Sequence, residues 1–314
     1  MAYVVTGATG HIGNNLVKKL IELDKDVVIL ARKIDNSIKD LKAKYAIGDI
    51  FDEEFLRQNI SKDDIVFHLA GVIDIKNNKK DQTLKINFEG TKIITDICIE
   101  KEVKQYVYFS TVDCIYKENN EKIYEPIDIY PEKFKDNYSY SKALATKYVM
   151  EQQKINPNIN INILYPSAVI GINDYKPSSI GKVVQDIIKG KMQFGISGGY
   201  NFIDVEDVVK ATISVVENNK TGDYLLIGHN ISVIELYKIA NETLGRKKKT
   251  VKIPLFIVKL CIPFVPYLSK FVLKTITENY NYQNNKMIKE LNVTPVSFNE
   301  TIKNTINFFK NKEV

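Results

Sequence analysis

The sequence predicts an α/β protein in which a doubly wound parallel sheet carries a smaller, mainly helical C-terminal cap. Three observations favour this class. A short apolar strand at residues 2–5 runs into a glycine-rich turn and then into an amphipathic helix at residues 14–23. Apolar strands and helical patterns alternate after it, as is typical of parallel sheets covered by helices on both faces. The length of 314 residues also exceeds what one compact core requires, which leaves room for a cap.

The same alternation places the remaining elements. Predicted strands follow at residues 26–30, 45–47, 64–69, 105–110 and 160–165. One predicted helix begins at residue 52, and others cover residues 83–101 and 138–153, the last after a polar loop at 116–137. A strand-helix-strand pattern at residues 202–218 and 223–227 indicates a return to the sheet. We therefore expect the sheet domain at residues 1–165 and 202–228, and the cap at residues 166–201 and 229–314.

The first turn, Thr-Gly-Ala-Thr-Gly-His-Ile-Gly at residues 6–13, predicts a nucleotide site. Glycines with this spacing let the backbone turn tightly and approach a diphosphate, and the helix that follows presents its unpaired N–H groups to the anion. A tight turn without a ligand is the alternative, but a position between strand and helix is the context that this fingerprint requires. We predict a dinucleotide whose diphosphate lies against Gly7, Thr9, Gly10, His11, Ile12 and Gly13.

The end of the second predicted strand indicates which dinucleotide binds. NAD-selective sites carry a carboxylate there for the ribose 2′-hydroxyl. Here Ala31, Arg32 and Lys33 occupy these positions, and the first acid is Asp35. Because arginine binds a phosphate through two donors, we expect Arg32 to bind a 2′-phosphate. NADP(H) is therefore the preferred cofactor, NAD(H) is the second option, and a solvated basic strand end is the alternative interpretation.

A second motif lies at the start of the predicted helix 138–153. The sequence Tyr-Ser-Tyr-Ser-Lys places Tyr138 and Lys142 on one helix face, with their Cβ atoms about 5–6 Å apart. A phenol has an ordinary pKa of about 10, and a neighbouring ammonium favours the phenolate and lowers that value. We expect Tyr138 to exchange a proton with a carbinol oxygen while hydride moves at the nicotinamide. Tyr140 is the competing tyrosine, but Leu144 stands four residues after it, so it lacks the lysine.

The glycine spacing and the Tyr-x-x-x-Lys helix together resemble the extended short-chain dehydrogenase/reductase superfamily, which includes the NAD-dependent epimerases and dehydratases. The resemblance extends over nearly the whole chain and implies a Rossmann-type nucleotide-binding domain. It implies that Thr111, the second residue of a Ser-Thr pair, donates to the substrate oxygen; a threonine that caps the next turn is the alternative. It adds cofactor contacts for Tyr138 and Lys142 and for Asp49, Ile50, Leu69, Ala70, Gly71, Asn87, Pro166, Ser167 and Val169. It also implies a homodimer formed through the helices that begin near Thr83 and Tyr138.

Departures from the superfamily pattern narrow the expected function. Sugar-nucleotide dehydratases usually place Asp-Glu directly after the catalytic threonine, where this chain has Val112. Epimerases commonly use an arginine near the return segment, yet Arg246 is the only arginine after Arg57. The segment 164–171 and Arg32 instead resemble the dihydroflavonol-reductase and hydroxysteroid-dehydrogenase branch.

We therefore expect an NADP(H)-dependent oxidoreductase that reduces a carbonyl or oxidises a secondary alcohol on a small, uncharged or lipophilic substrate. A nucleotide-sugar epimerase and a non-catalytic NADP sensor are the alternatives. A sensor would normally lack the Tyr–Lys pair that this chain keeps.

Composition excludes several other classes. The net charge is +6, but acidic and basic residues are interspersed and the longest basic run is 246–249, which argues against nucleic acid as a partner. Cys98, Cys114 and Cys261 are scattered, so neither a disulfide framework nor a zinc or other metal site is expected. The first residues carry no secretory signal, and we expect a cytoplasmic protein.

One apolar segment, residues 253–273, has an open role. Pro254, Pro263 and Pro266 interrupt it, and Lys259 and Lys270 lie within it, so it fails as a transmembrane span. Three interpretations remain: a packed helical cap, a peripheral membrane-contacting face, and an oligomer contact.

Overall fold

The strands form one large parallel sheet and two small sheets. The computed structural model describes residues 1–118, 121–191, 194–248, 250–261, 269–278 and 280–312. The strands are β1 Tyr3–Thr6, β2 Val27–Ala31, β3 Lys44–Ile47, β4 Ile65–His68, β5 Gln105–Phe109, β6 Asn160–Pro166, β7 Ala168–Ile170, β8 Phe194–Gly195, β9 Gly199–Asp204, β10 Gly222–Leu226, β11 His229–Ser232 and β12 Val251–Lys252. The helices are α1 His11–Glu22, α2 Glu53–Asn59, α3 Lys80–Leu84, α4 Gly90–Glu100, α5 Asn137–Ile155, α6 Ser179–Ile188, α7 Val205–Glu217, α8 Val233–Thr243, α9 Leu255–Cys261, α10 Lys270–Thr277, α11 Asn285–Leu291 and α12 Phe298–Lys312.

The large sheet has the strand order β3-β2-β1-β4-β5-β6-β10, and its neighbouring strands are all parallel. β1 is flanked by β2 on one side and by β4 on the other, so the strand order reverses there. Ligands of open α/β sheets bind beyond the carboxyl ends of the strands at such a reversal. The doubly wound, Rossmann-type fold predicted from the sequence is confirmed.

Helices bury the strands of this sheet on both faces. Val4 packs into one apolar cluster with Tyr106 and Tyr108. Val5 and Val107, which point the opposite way, belong to a second cluster on the other face. Because both faces are covered, the strands are continuous apolar runs rather than alternating ones, and this allowed them to be predicted.

The N-cap residues determine where three helices of the sheet domain start. Asp52 caps α2 and Asp136 caps α5, each carboxylate accepting a backbone hydrogen bond, at 3.0 Å and 2.8 Å respectively. α1 begins at His11, three residues before the predicted start, because Gly10 in the glycine turn already occupies its N-cap. The glycine turn is therefore part of the helix terminus.

The predicted helix 83–101 is longer than expected and contains a π-helical turn. The turn, Lys85–Glu89, joins α3 to α4 without a break. Such wider turns occur mostly at functional sites, because they redirect side chains. Here the turn contains Asn87, a residue that is predicted to contact the cofactor.

After β6 the chain leaves the large sheet and later returns. β9 pairs in parallel with β7 and antiparallel with β11 in a small sheet, and β8 pairs with β12. α7 then packs against α1, and β10 pairs with β6 as the seventh strand of the large sheet. Residues 202–204, predicted as a strand of the sheet domain, thus lie in β9 and belong to the small sheet.

α11 departs from the predicted domain division. It falls in the range 229–314 assigned to the cap, yet it packs against β10 and α7. Met287 and Leu291 are buried in the same cluster as Tyr224 of β10. Their spacing of four indicated a buried helix face, but not the surface that this face covers.

Among the described residues, no helix has the length and apolar content needed to cross a membrane. Within the apolar segment 253–273, residues 262–268 lie outside the described residues, and α9 and α10 flank them. Cys98 and Cys114 are buried free thiols.

Candidate active site

Two adjoining cavities lie beyond the carboxyl ends of β1 and β4, and the predicted site residues line them. Cavity A has a volume of about 520 Å³, and cavity B a volume of about 410 Å³. The predicted residues that line cavity A are Gly7, Thr9, Gly10, Arg32, Asp49, Ile50, Leu69, Ala70 and Gly71. Those that line cavity B are Gly7, Gly10, His11, Ile12, Gly13, Leu69, Gly71, Asn87, Thr111, Tyr138, Lys142, Pro166, Ser167 and Val169.

The glycine turn separates the two cavities and leaves no space for side chains. Gly7 has φ +74°, and a Cβ on it would lie 2.6 Å from the Ala70 nitrogen. A Cβ on Gly13 would lie 2.4 Å from the Gly7 carbonyl oxygen. Within the described residues, no side chain caps α1 at Gly10, and its first turn holds no acid. The uncapped N–H groups and the positive end of α1 therefore face the cavity, as an anion site requires.

His11 fixes the glycine turn to the cap. Its Nε2–H donates to the Ile172 carbonyl oxygen at 2.8 Å. Burial lowers the pKa of this imidazole, so the neutral form is favoured. Through this contact, His11 has a structural role at the edge of cavity B, where it connects the glycine turn to the cap.

Cavity A contains the basic residues predicted at the end of β2, together with one basic residue that the sequence analysis missed. Arg32 and Lys33 line it, as does Lys176 from the loop after β7. Lys176 forms an ion pair with Asp35 at 2.6 Å. Asp35 also accepts a hydrogen bond from the Ser37 amide at 2.9 Å. The first acid after β2 is therefore already paired, and three cations border the cavity.

The loop after β4 is held in place by Asn87. The Asn87 amide donates to the Val72 carbonyl oxygen at 2.9 Å and accepts from the Val72 amide at 2.8 Å. It also donates to the Ser141 hydroxyl of α5 at 3.0 Å. The side chain lines cavity B, but these contacts give it a positioning role between the loop and the tyrosine helix.

Tyr138, Lys142 and Thr111 meet in cavity B. The Lys142 ammonium donates to the Phe109 carbonyl oxygen at 2.6 Å, at the end of β5. The Thr111 hydroxyl oxygen accepts from the Asp113 amide at 3.2 Å and so caps the turn after β5. The same hydroxyl lies near the Tyr138 phenol and acts to lower its pKa. Thr111 therefore caps the turn, and its place in cavity B beside Tyr138 leaves its predicted role as donor to the substrate oxygen a prediction.

The pKa values differ from the expectation based on helix spacing. Burial raises the pKa of Tyr138, the Asp113 carboxylate raises it further, and the Thr111 hydrogen bond opposes both. Burial also lowers the pKa of Lys142 to about 7. The expected lowering of the Tyr138 pKa by Lys142 is absent here, because desolvation opposes charge on both groups.

Asp113, Tyr200 and Phe271 also line cavity B, and sequence reasoning did not single them out. The Tyr200 phenol donates to the Asp113 carboxylate. Phe271 of α10 packs edge-on against Tyr138, with ring centroids 6.1 Å apart. Asp113 lies in the turn after β5 that Thr111 caps. Its position two residues after the predicted Thr111 was the available signal.

The opposite wall of cavity B is formed by the end of β6 and by β7. Pro166, Ser167 and Val169 line it, as predicted. Among the described residues, no group hydrogen-bonds to the buried Ser167 hydroxyl. A buried hydroxyl without a partner is costly, so a polar ligand group is expected there.

The outer walls of cavity B are apolar. They consist of side chains from the loop after β4 and from the cap: Val72, Ile73, Ile75, Ile180, Phe271 and Val272. Asp113 and Lys142 are the charged side chains in its lining. The catalytic candidates thus face a largely apolar chamber.

Comparison with known proteins agrees with this geometry. Residues 3–228 match the model of the NAD dependent epimerase/dehydratase family. The chain is 22% identical to sterol demethylase protein B of Methylococcus capsulatus, over 99% of each chain. It is 25% identical to a putative dihydroflavonol 4-reductase of Synechocystis, over 98% of this chain and 94% of the relative. Its fold matches UDP-glucose 4-epimerase of Thermotoga maritima with a TM-score of 0.81, at 20% identity over the full length of both chains.

The family match covers well over half of the chain. It includes all residues that line cavity A and all that line cavity B except Phe271, Val272 and Thr275. Relatives of this chain include dehydrogenases and a dehydratase. The chain therefore belongs to the NAD dependent epimerase/dehydratase family and is an NAD(P)-dependent oxidoreductase.

Proposed function

We propose that this protein is an NADP(H)-dependent oxidoreductase that interconverts a carbonyl and a secondary alcohol on a small lipophilic substrate. One observation carries the proposal: Tyr138, Thr111 and Lys142 converge in a cavity whose outer walls are apolar. The hydroxyl-bearing carbon of the substrate would lie beside Tyr138, Thr111 and Lys142. The apolar remainder of the substrate would contact the outer walls. Burial of that remainder supplies the binding free energy.

The three side chains have distinct roles in the proposed reaction. Tyr138 transfers a proton to or from the substrate oxygen. Because the Thr111 oxygen accepts from the Asp113 amide, the Thr111 proton is directed away from that turn and donates to the oxygen on which charge develops. Lys142 is fixed by its hydrogen bond to the Phe109 carbonyl oxygen at the end of β5, and it supplies a positive charge to the site when it is protonated.

The residues of both cavities fit a dinucleotide. The uncapped α1 terminus and the glycine turn would hold its diphosphate, and Lys142 and the unpartnered Ser167 hydroxyl would hold its nicotinamide half. When it is bound, this cofactor supplies or accepts the hydride. Asp49 and Ile50 border the opposite end of the site in cavity A.

Preference for NADP(H) is supported by the charges around cavity A. Arg32, Lys33 and Lys176 border it, and Asp35, the one acid near the end of β2, is paired with Lys176. A carboxylate occupied in this way is a poor acceptor for a ribose hydroxyl. A 2′-phosphate would instead gain charge-assisted hydrogen bonds from the basic residues.

The positions of the arginines argue against a nucleotide-sugar substrate. Arg57 pairs with Glu53 and Glu100 and lines neither cavity. Arg246 donates to the backbone carbonyls of Ile187 and Ile188 at 2.8 Å each. Arg32, the third arginine of the chain, lines cavity A. Cavity B, where the diphosphate of a nucleotide-sugar substrate would bind, therefore has no arginine in its lining. Relatives whose names refer to sterols and to a dihydroflavonol also favour a lipophilic substrate.

A ligand screen tests this function. Thermal unfolding would be followed with NADPH, NADH, UDP-glucose and a set of lipophilic ketones, singly and with cofactor. A ligand at about 100 times its Kd adds roughly 2.7 kcal/mol of stability, which is readily detected. We expect stabilisation by NADPH and ketone-dependent NADPH consumption. Stabilisation by UDP-glucose, with no turnover of any ketone, would favour the epimerase instead.

A further inference from the structure

Helix α9 exposes most of its apolar side chains. Phe256 is 67% and Leu260 71% exposed, and Leu255 and Ile257 are more than one third exposed. Val251 in the preceding strand is 56% exposed. We call Val251, Leu255, Phe256, Ile257 and Leu260 the α9 face. Contiguous exposed apolar side chains of this kind mark interaction surfaces more often than single exposed residues do.

α9 packs on the rest of the protein through a buried valine. Val258 is buried and packs with Ile196 and with Leu273 of α10. Phe256 and Leu260, four residues apart, lie on one side of the helix and point to solvent. Among the described side chains of α9, Val258 is thus the buried one, and Phe256 and Leu260 are the most exposed.

The charged residues of the segment that contains the α9 face are all basic. Residues 244–277 contain eight lysines and arginines and not one aspartate or glutamate. This exceeds the net charge of the whole chain, +6, so the remainder is net acidic. Lys252 and Lys259 are exposed beside the apolar side chains and form no ion pair with any described residue. An apolar face in a segment whose charged residues are all cationic is complementary to a surface of anionic headgroups over hydrocarbon.

We infer that the α9 face docks this protein on the surface of an anionic lipid bilayer. Phe256 and Leu260 enter the headgroup boundary, and Lys252 and Lys259 contact the lipid phosphates and carboxylates. α10 packs on α9 and also lines cavity B through Phe271, Val272 and Thr275. Docking therefore places cavity B close to the lipid phase. The docking can be measured without a substrate and does not depend on the proposed function.

Vesicle sedimentation of the full chain tests this inference. Pure phosphatidylcholine vesicles would be compared with mixed phosphatidylcholine–phosphatidylserine vesicles, at low and at physiological salt. We expect binding to the mixed vesicles alone, weakening as salt is added. Phe256→Ser with Leu260→Ser should reduce binding at least about tenfold, because two apolar side chains no longer leave water. Lys252→Glu with Lys259→Glu should reduce it at least about 25-fold, since each lysine near an anionic surface contributes roughly fivefold.

Matched controls separate the α9 face from general surface effects. Ile127→Ser removes an apolar side chain that is 90% exposed elsewhere, and Lys303→Glu with Lys310→Glu makes the same charge change on α12. Both controls should bind like the wild type, and all variants should keep their cofactor affinity. Absence of binding to anionic vesicles at low salt would overturn the inference, as would equal binding by the α9 variants. A dimer that dissociates in the α9 variants, without any vesicle binding, would assign the face to a second copy instead.

Discussion

Tyr138 and Asp113 line the same cavity; burial raises the pKa of the Tyr138 phenol, and the Asp113 carboxylate raises it further. Removing that charge should therefore favour the phenolate. Asp113→Asn keeps a group that can accept from Tyr200. The pH–rate profile of alcohol oxidation, which rises as Tyr138 loses its proton, should shift to lower pH in this variant. An unchanged profile would mean that Asp113 does not act on the catalytic group.

Tyr138→Phe is expected to abolish most turnover while cofactor binding survives. The change deletes one hydroxyl and keeps the ring packed against Phe271. Because general acid–base catalysis contributes about 10²- to 10⁴-fold, kcat should fall by that factor. Tyr140→Phe is the matched control, since Tyr140 lines neither cavity. An inactive Tyr140 variant beside a nearly normal Tyr138 variant would refute the assignment.

Lys142→Met should stabilise the cofactor-free protein, and most strongly in acid. Burial lowers the pKa of Lys142 from 10.5 to about 7, so between these values the folded protein binds fewer protons than the unfolded chain. The cost of holding the ammonium is thus fully present below pH 7 and disappears as pH rises toward 10.5. At about 1.4 kcal/mol per pKa unit, less the lost hydrogen bond to Phe109, the gain should be of the order of 2 kcal/mol at roughly pH 6.

Urea unfolding without cofactor, from roughly pH 6 to about pH 9, measures this dependence. Lys303→Met, at an exposed lysine of α12, controls for the loss of a charge. A stability difference between Lys142→Met and wild type that stays constant with pH would contradict the burial effect.

Arg32→Ala should weaken NADP(H) binding by roughly tenfold or more, because a charge-assisted hydrogen bond is lost. NADH affinity of the same variant is the internal control and should change little. Lys176→Met should cause a smaller loss, since that lysine already pairs with Asp35. Calorimetric titration of both cofactors measures these effects. Equal affinity of the wild type for NADPH and NADH would refute the preference.

Gly13→Ala should disrupt the glycine turn more than Gly10→Ala. A Cβ at position 13 would lie 2.4 Å from the Gly7 carbonyl oxygen, whereas at position 10 it would lie 3.2 Å away. The first requires the backbone to move, and overpacking of this kind costs about 1–3 kcal/mol. Cofactor affinity and the free energy of unfolding should both fall further in Gly13→Ala. Similar losses in the two variants would show that close packing is not the cause.

The sequence determined the features that arise from local rules. The first strand and the glycine turn were predictable because φ at Gly7 and the close approach at Gly13 exclude other residues. The strands were predictable because burial on both faces requires continuous apolar runs. Tyr138 and Lys142 were predictable because a spacing of four places two side chains on one helix face.

Only the tertiary structure decided which distant residues complete the two cavities. Tyr200 meets Asp113 across 87 positions, and Lys176 from the cap reaches Asp35, so no local pattern indicated either pair. Similarly, the sequence of α11 indicated that one helix face is buried, but it did not indicate that this face packs against β10 and α7. The direction of the Tyr138 pKa shift was also undetermined, since spacing indicates which charges are near but not how much water is excluded. Burial is a property of the assembled walls, and here desolvation is the largest cause of the raised Tyr138 pKa.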